Sequence, residues 1–434
     1  MTPLSRRQVL RGAGGLAVAG TVAIAGCSSS CPDSGHPTPD VIRSIDADPV
    51  GAFGTTPTGT WPSYHGDAGN TGYVDANPPF DDVALRWQAD LSLPSVDDDD
   101  RSASPPVVGD RHVYVADADR VHALEARTGE MVWQSPSIEP TVRDTFDEYR
   151  PTTAPPTIGP EGSVYVGTVD GLVALSAVDG SVQWRSTAVT AASSPTVNHG
   201  AVYAAGTSGV IALDADNGRT RWTSSVPTGE TIDPPAVGAD IVVESGSRKA
   251  SGIDPRTGDR RWQVDQAESH PVVDDDTCYV GTDGALVAAA VNSGEERWRF
   301  SRGDYRAMRS PVVTPETIYL VEHPPEAGSA TFALNREENS PKPRWCSDVG
   351  SGVVTAATDD RAFVLLPIGE GPTSQTGIAS FTADLGAVPW ALRGGRIGQG
   401  EILPPAVLDD AIVATTRTGT VLALGDRPAT NGGA

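Results

Sequence analysis

The stretch ALEARTGEMVW, residues 123–133, runs from small and apolar residues through a turn at Thr128-Gly129 to a lone Trp133. The same pattern returns as ALSAVDGSVQW (174–184), ALDADNGRTRW (212–222) and GIDPRTGDRRW (252–262). It returns again as AAAVNSGEERW (288–298) and SFTADLGAVPW (380–390). In all six copies a glycine stands four residues before the tryptophan. A chain that repeats one short pattern at a spacing of 36 to 51 residues, with a longer gap before the last copy, is building one supersecondary unit many times over.

The longer frame shows what the unit is. In APPTIGPEGSVYVGTVDGLVALSAVDGSVQW (154–184), a Pro-led strand at Thr157-Ile158 is followed by a turn and by the apolar strand 164–167. A tight turn at Asp170-Gly171 leads into 172–175, and Asp179-Gly180 turns the chain into a fourth strand that ends on Trp184. This predicts a four-stranded antiparallel meander with glycine where turns need positive φ. The frame restarts near Pro106, Pro156, Pro195, Pro235, Pro271, Pro311 and Pro405, with a degenerate member near Gly352. Trp133, Trp184, Trp222, Trp262, Trp298, Trp345 and Trp390 close seven of these units. The eighth, residues 405–425, has three strands only. Its missing strand is supplied by ALRWQADL (84–91), which carries Trp87 and precedes the first unit. The expected fold is therefore all-β: an eight-bladed β-propeller of four-stranded antiparallel blades, its ring closed by the N-terminal strand 84–91. Closure removes the open edges that invite aggregation. The eight tryptophans are expected to dock one blade on the next, and Trp61 is left over.

With the repeat in hand, a resemblance becomes specific. Ala-x-Asp-x-x-Thr-Gly-x-x-x-Trp resembles the tryptophan-docking motif of the quinoprotein-type, PQQ-like β-propeller repeat family. Ala123 to Trp133 matches with Glu125 for Asp, and Ala212 to Trp222 matches with Asn217 for Thr. WPSYHGDAGNTGY (61–73) is similar to the lead-in before that family's first blade. The resemblance covers residues 61–425. Residues 333–345 depart by a two-residue insertion and loss of the glycine, and the seventh unit carries the interruption GEGPTSQTG. The resemblance implies one of two functions. Quinoprotein dehydrogenases hold PQQ and Ca²⁺ on the propeller axis, while binding-type relatives, such as the outer-membrane assembly lipoprotein of bacteria, hold no cofactor. The dehydrogenase pattern expects an adjacent Cys-Cys pair, a Trp floor under the quinone and a calcium-binding Glu/Asn/Asp set. This chain has no adjacent Cys pair, and its only spare tryptophan, Trp61, lies in the lead-in.

The N-terminus reads as an address. Ser5-Arg6-Arg7-Gln8-Val9-Leu10 looks like a twin-arginine export signal. The apolar run that follows is too short to span a bilayer comfortably, and Ile24-Ala25-Gly26-Cys27 resembles a lipobox whose cysteine takes the lipid. The expected organisation is a signal peptide at 1–26, a flexible tether at 27–60 rich in Ser, Pro and Gly, the propeller at 61–428 and a tail at 429–434. The expected location is the outer face of the cell membrane, held there by lipid on Cys27.

Composition narrows the partners. Net charge is −24, with two lysines against 30 arginines. Loss of Arg6, Arg7 and Arg11 with the signal leaves the mature chain three charges more negative. Acid excess with few lysines resembles proteins of salt-loving organisms, here a haloarchaeal lipoprotein, and implies self-repulsion relieved by salt. No basic stripe exists to neutralise phosphates, so nucleic acid is not an expected partner. The seven histidines (His36, His65, His112, His122, His199, His270 and His323) are scattered without metal-ligand spacing. No GxSxG elbow appears. The run Asp97 to Asp100 could attract Ca²⁺ but lacks the glycine spacing of a calcium loop, and reads as a solvated face. Cys278 and Cys346 fall in neighbouring units, as a disulfide or as two thiols.

No catalytic, cofactor or metal residues are therefore expected. The reading is a monomeric, non-catalytic surface lipoprotein that binds a protein or envelope partner, with a PQQ-dependent dehydrogenase and a glycan-binding or other ligand-binding propeller as the alternatives. The long segments 92–104, 136–153, 321–331 and 367–377 all belong to one face of such a ring, where a rigid scaffold varies its loops. Residues 144–150 (DTFDEYR) carry aromatic and arginine side chains suited to protein contact.

Overall fold

The computed structural model describes residues 43–44, 48–79, 82–93, 102–144, 151–226, 233–282, 284–301, 307–323, 330–336, 341–347, 353–368, 375–384, 390–393 and 401–428. Eight antiparallel sheets form the eight blades, each built outward from an inner strand. The inner strands are Val107–Gly109, Thr157–Ile158, Thr196–Asn198, Ala236–Val237, Val272–Asp274, Ala307–Val313, Val353–Ala357 and Ala406–Val407. The closing strand is Val83–Asp90, one residue earlier than the sequence suggests. It pairs antiparallel with Thr420–Asp426 and so completes blade 8.

The eleven-residue repeat is explained by one interface used repeatedly. Trp133 lies in register opposite Ala123, Trp184 opposite Ala174, Trp222 opposite Ala212 and Trp298 opposite Ala288. The small residue is needed because the indole folds across it. In blade 4 the position is Gly252, where an added Cβ would sit 2.1 Å from Trp262. The strands slip by one residue just beyond each pair, which re-aims the tryptophan toward the following blade. There its ring Nε1–H donates to a carbonyl: Trp133 to Ala177, Trp184 to Ala215, Trp222 to Pro255, Trp262 to Val291 and Trp345 to Ala383, at 2.6–2.9 Å. Three residues beyond the first four of those acceptors stands the motif glycine of the following blade. Gly180 has φ +72, and a Cβ there would meet the Trp133 ring at 2.5 Å. The glycine thus serves both the left-handed turn and the close approach of backbone to indole.

Trp87 closes the circle by the same contact. Its Nε1 donates to Ala126 O of blade 1 at 2.9 Å, and Gly129 lies against its ring. The strand that completes the last blade therefore also carries that blade's docking residue. Between blades the cores are apolar and buried, as in the cluster of Val113, Val115, Leu124, Val413 and Leu424 at the junction of blades 8 and 1.

The chain before the ring is also built into it. Arg43–Ser44 adds a parallel strand to the outer edge of blade 7, on Trp390–Arg393. The amides of Val50 and Gly51 bond to Leu85 O and Arg86 O of the closing strand at 2.8 and 3.1 Å. Arg86 answers through the carbonyls of Gly51 and Ala52 and lies 4.8 Å over the Phe53 ring.

Candidate binding faces and the ring axis

Two hydrogen-bond patterns define the two faces. On one, the turn between strands three and four bonds the turn between strands one and two: Ala126 N to Arg111 O, Ala177 N to Gly162 O, Ala215 N to Gly200 O and Val291 N to Asp276 O. On the other, the segments linking successive blades bond the turns between strands two and three: Thr141 N to Gly167 O, Ala191 N to Val169 O and Glu268 N to Gly281 O. The second face carries the long segments. Within 136–153, Val142–Asp144 and Pro151–Thr153 form a small hairpin. The ends of 321–331 and 367–377 are drawn into strands, Thr317–His323 with Ala330–Asn335 and Arg361–Ile368 with Gln375–Thr382. Residues 145–150 of DTFDEYR and the run Asp97 to Asp100 lie outside the described residues, as do Arg6, Arg7 and Cys27.

The plain face is strapped. Residues 58–74 cross the axis and bond the inner strands in turn. Thr58 O accepts from Asp409 N of blade 8 at 3.1 Å, and Trp61 exchanges both backbone bonds with Val108 of blade 1 at 2.7 and 2.8 Å. Pro62 O accepts from Ile158 N of blade 2 at 2.8 Å. Ala68, Gly69, Thr71 and Gly72 then accept from Val237, Val273, Val313 and Ala357 of blades 4, 5, 6 and 7 at 2.6–2.8 Å. The Asn70 side-chain amide adds bonds to blades 4 and 5, donating to Pro234 O at 3.0 Å and Pro271 O at 3.5 Å. Seven of the eight blades are thus bonded to one strap. Its glycines are dictated by proximity: a Cβ on Gly69 would lie 2.1 Å from Val273 O, and one on Gly66 would press on the Trp61 ring at 3.0 Å.

Trp61, spare in the repeat count, is 1% exposed and packs in the core between blades 8 and 1. Asp67 bonds the Thr71 hydroxyl and, at 3.0 Å, its amide; burial raises its carboxyl pKa. Beside it, Asp67, Thr71, Tyr73, Asp274, Asp275 and Arg336 line a polar pocket of about 440 Å³, in which Arg336 pairs with Asp274. Deeper on the axis lie His65 of the strap and His270 at the entry to blade 5, their rings 4.2 Å apart between centroids. Burial holds both imidazoles below their ordinary pKa, His65 well below and His270 at about 4. Sequence reading missed both the strap and this pair. The dense glycines of HGDAGNTG were the available signal, since so many glycines in a non-repeating segment mark close backbone approach.

A different buried histidine has an evident structural role. His122 bonds Asp117 at 2.6 Å, and Asp117 in turn accepts the amides of Asp119 and Arg120 to shape the turn of blade 1. Cys278 is a free thiol whose pKa burial pushes up to about 12. No Cys278–Cys346 bond is therefore made, and Cys346 is engaged in a different disulfide. Among the described residues no group of three or more His, Cys, Asp or Glu side chains is placed to hold a metal.

Residues 80–150 and 118–341 match the family described as outer membrane protein assembly factor BamB. The chain belongs to that family. No curated protein matches its sequence. Among solved structures, BamB from Moraxella catarrhalis is similar at a TM-score of 0.56 and 16% identity, over 79% of this chain and 99% of that one. A quinohemoprotein alcohol dehydrogenase from Pseudomonas putida is similar at 0.63 and 14% identity, over 86% and 81%. One from Comamonas testosteroni reaches 0.62 and 14% identity over the same shares. At these identities the solved structures speak for the fold alone.

Proposed function

We propose that the chain is a non-catalytic, lipid-anchored surface scaffold that binds a protein or envelope partner through the face bearing its long segments. The observation that supports this most is the strap. It commits the plain end of the axis to holding the ring together, and leaves the other face as the one that varies. The family description is that of an assembly factor, which accords with a role in contact with other proteins. The twin-arginine signal at Arg6 and Arg7, lipid attachment at Cys27 and the saline habitat belong to this proposal and rest on the sequence.

The dehydrogenase alternative draws on the quinohemoprotein neighbours. The residues present do not fit a quinone site. Trp61 is buried between blades 8 and 1 rather than laid open on the axis, and Cys278 and Cys346 sit on separate blades. The deciding experiment is a PQQ titration of the mature chain in molar salt with Ca²⁺, followed by tryptophan fluorescence beside a dye-linked alcohol and sugar oxidation assay. No saturable quenching and no dye reduction are expected. Quenching with dye reduction would make the protein a quinoprotein. Pull-down from high-salt membranes tests the scaffold directly: a stable protein partner is expected, and retained sugar without protein would favour a glycan binder. Cys27→Ser should release the protein to the medium, and retention on the membrane would refute the lipid anchor.

A further inference from the structure

Of the two axial histidines, His270 occupies a place where the fold does not ask for histidine. Three blades enter their inner strands identically. Ser104 Oγ donates to Pro105 O and accepts from Ala116 N. Ser193 Oγ does the same with Ser194 O and Ala205 N, and Ser269 Oγ with His270 O and Gly281 N. Pro105, Ser194 and His270 are therefore equivalent positions, and proline or serine satisfies them. In blade 5 an imidazole stands there instead, 5% exposed, and meets His65 of the strap, 4% exposed. Both nitrogens of His65 and Nε2 of His270 are buried without a hydrogen-bond partner. Leaving such groups unpaired costs their desolvation, and a native fold carries few of them without a reason.

We propose that His65 and His270 form a two-imidazole clip for a borderline divalent cation of the copper–zinc–nickel class. Imidazole nitrogen is the ligand type these ions prefer. The two rings adjoin one another, 4.2 Å apart between centroids and tilted by 31°. Any remaining coordination positions would fall to water. Because His65 belongs to the strap and His270 to blade 5, the ion would clip the strap to the ring at its axis and lock the plain face shut. This inference stands apart from the partner-binding function.

The test uses the full mature chain in molar NaCl with excess Ca²⁺, which saturates surface carboxylates. Zn²⁺ is titrated by calorimetry and Cu²⁺ is followed by electron paramagnetic resonance. The clip predicts one equivalent of Zn²⁺, a rise in thermal midpoint reversed by chelator, and Cu²⁺ hyperfine structure from two imidazole nitrogens. It predicts loss of all three signals in His65→Gln and in His270→Ser, the latter adopting the residue that blade 3 already uses, with His112→Gln retaining them. Ion binding that survives His270→Ser, or Cu²⁺ bound through oxygen alone, would assign the ion to surface carboxylates and overturn the clip. Absence of binding to the native chain would leave a bridging water as the partner of these nitrogens, and overturn it equally. Should His65→Gln fail to fold, His270→Ser decides the matter alone.

Discussion

The blade interfaces and the ring axis hold the same molecule together by opposite means. At the interfaces one contact recurs: an indole laid on a glycine, with its N–H on a carbonyl three residues upstream, from Trp87 on Gly129 round to Trp262 on Gly294. At the axis the ring side recurs, with equivalent inner-strand amides such as those of Val237, Val273, Val313 and Ala357 donating inward, but the strap that accepts them does not repeat. The strap gives carbonyls along its length to different blades, and its residues 68–72 advance from blade 4 to blade 7 almost one blade per residue. The interfaces draw their stability from buried aromatic area, the strap from backbone hydrogen bonds and glycine-permitted contact. A repeat array of nearest-neighbour interfaces distributes its stability locally. A strap that touches seven blades couples them, so the two regions should fail differently when damaged.

The strongest way to break the comparison is to remove the closing strand. Deletion of residues 83–90 takes away a strand, a docking tryptophan and the join between blades 8 and 1. Loss of the cooperative thermal transition is expected by calorimetry, and an unchanged midpoint would refute the closure. Next in size is Trp262→Ala, which empties one interface of an indole 7% exposed and hydrogen-bonded to Val291. A loss of about 3–5 kcal/mol is expected in denaturant melts, with the strap left in place.

Acid sharpens the contrast from the axis side. In the unfolded chain both histidines titrate near the ordinary value of about 6.5; in the folded ring burial holds His270 at about 4 and His65 well below its ordinary value. The folded state therefore binds fewer protons than the unfolded one between these values. Stability from this source is complete above about pH 7 and is lost as pH falls from 6.5 toward 4. The loss is on the order of 3 kcal/mol for His270 alone. Asp67, whose carboxyl pKa is raised by burial, works in the opposite sense at the low end of this window. The difference in pH slope between the native chain and His270→Ser isolates the histidine, and equal slopes would contradict its burial as a neutral imidazole. The smallest effect is expected from Asn70→Ala. It strips the strap of its bonds to Pro234 and Pro271 and should cost about 1–3 kcal/mol, with every docking tryptophan still seated.

What was legible in the sequence follows the same division. The fold, the blade count and the donated strand could be read because each interface imposes the same small residue, glycine and tryptophan, and repetition makes that demand visible. Even the fourth-strand arginines before the tryptophan recur, as Arg221, Arg261 and Arg297 pairing with Asp214, Asp254 and Asp276. The axis was not legible. Residues 61–73 could be recognised as a lead-in, but no periodicity says that Gly69 faces Val273 or that His65 meets His270, some two hundred residues away in sequence. Those contacts depend on ring closure. The packing place of Trp61 was hidden for the same reason: it is a single contact of the entering chain with blade 1.

The most direct test of the strapped ring is hydrogen exchange at the inner strands. The amides of Val237, Val273, Val313 and Ala357 are bonded to strap carbonyls, whereas no strap bond reaches Val197, the equivalent residue of blade 3. The strapped amides are predicted to exchange only through global opening, with Val197 exchanging faster. Rapid exchange at all five, with the flanking strands still protected, would show that the strap does not hold the axis and would contradict the account.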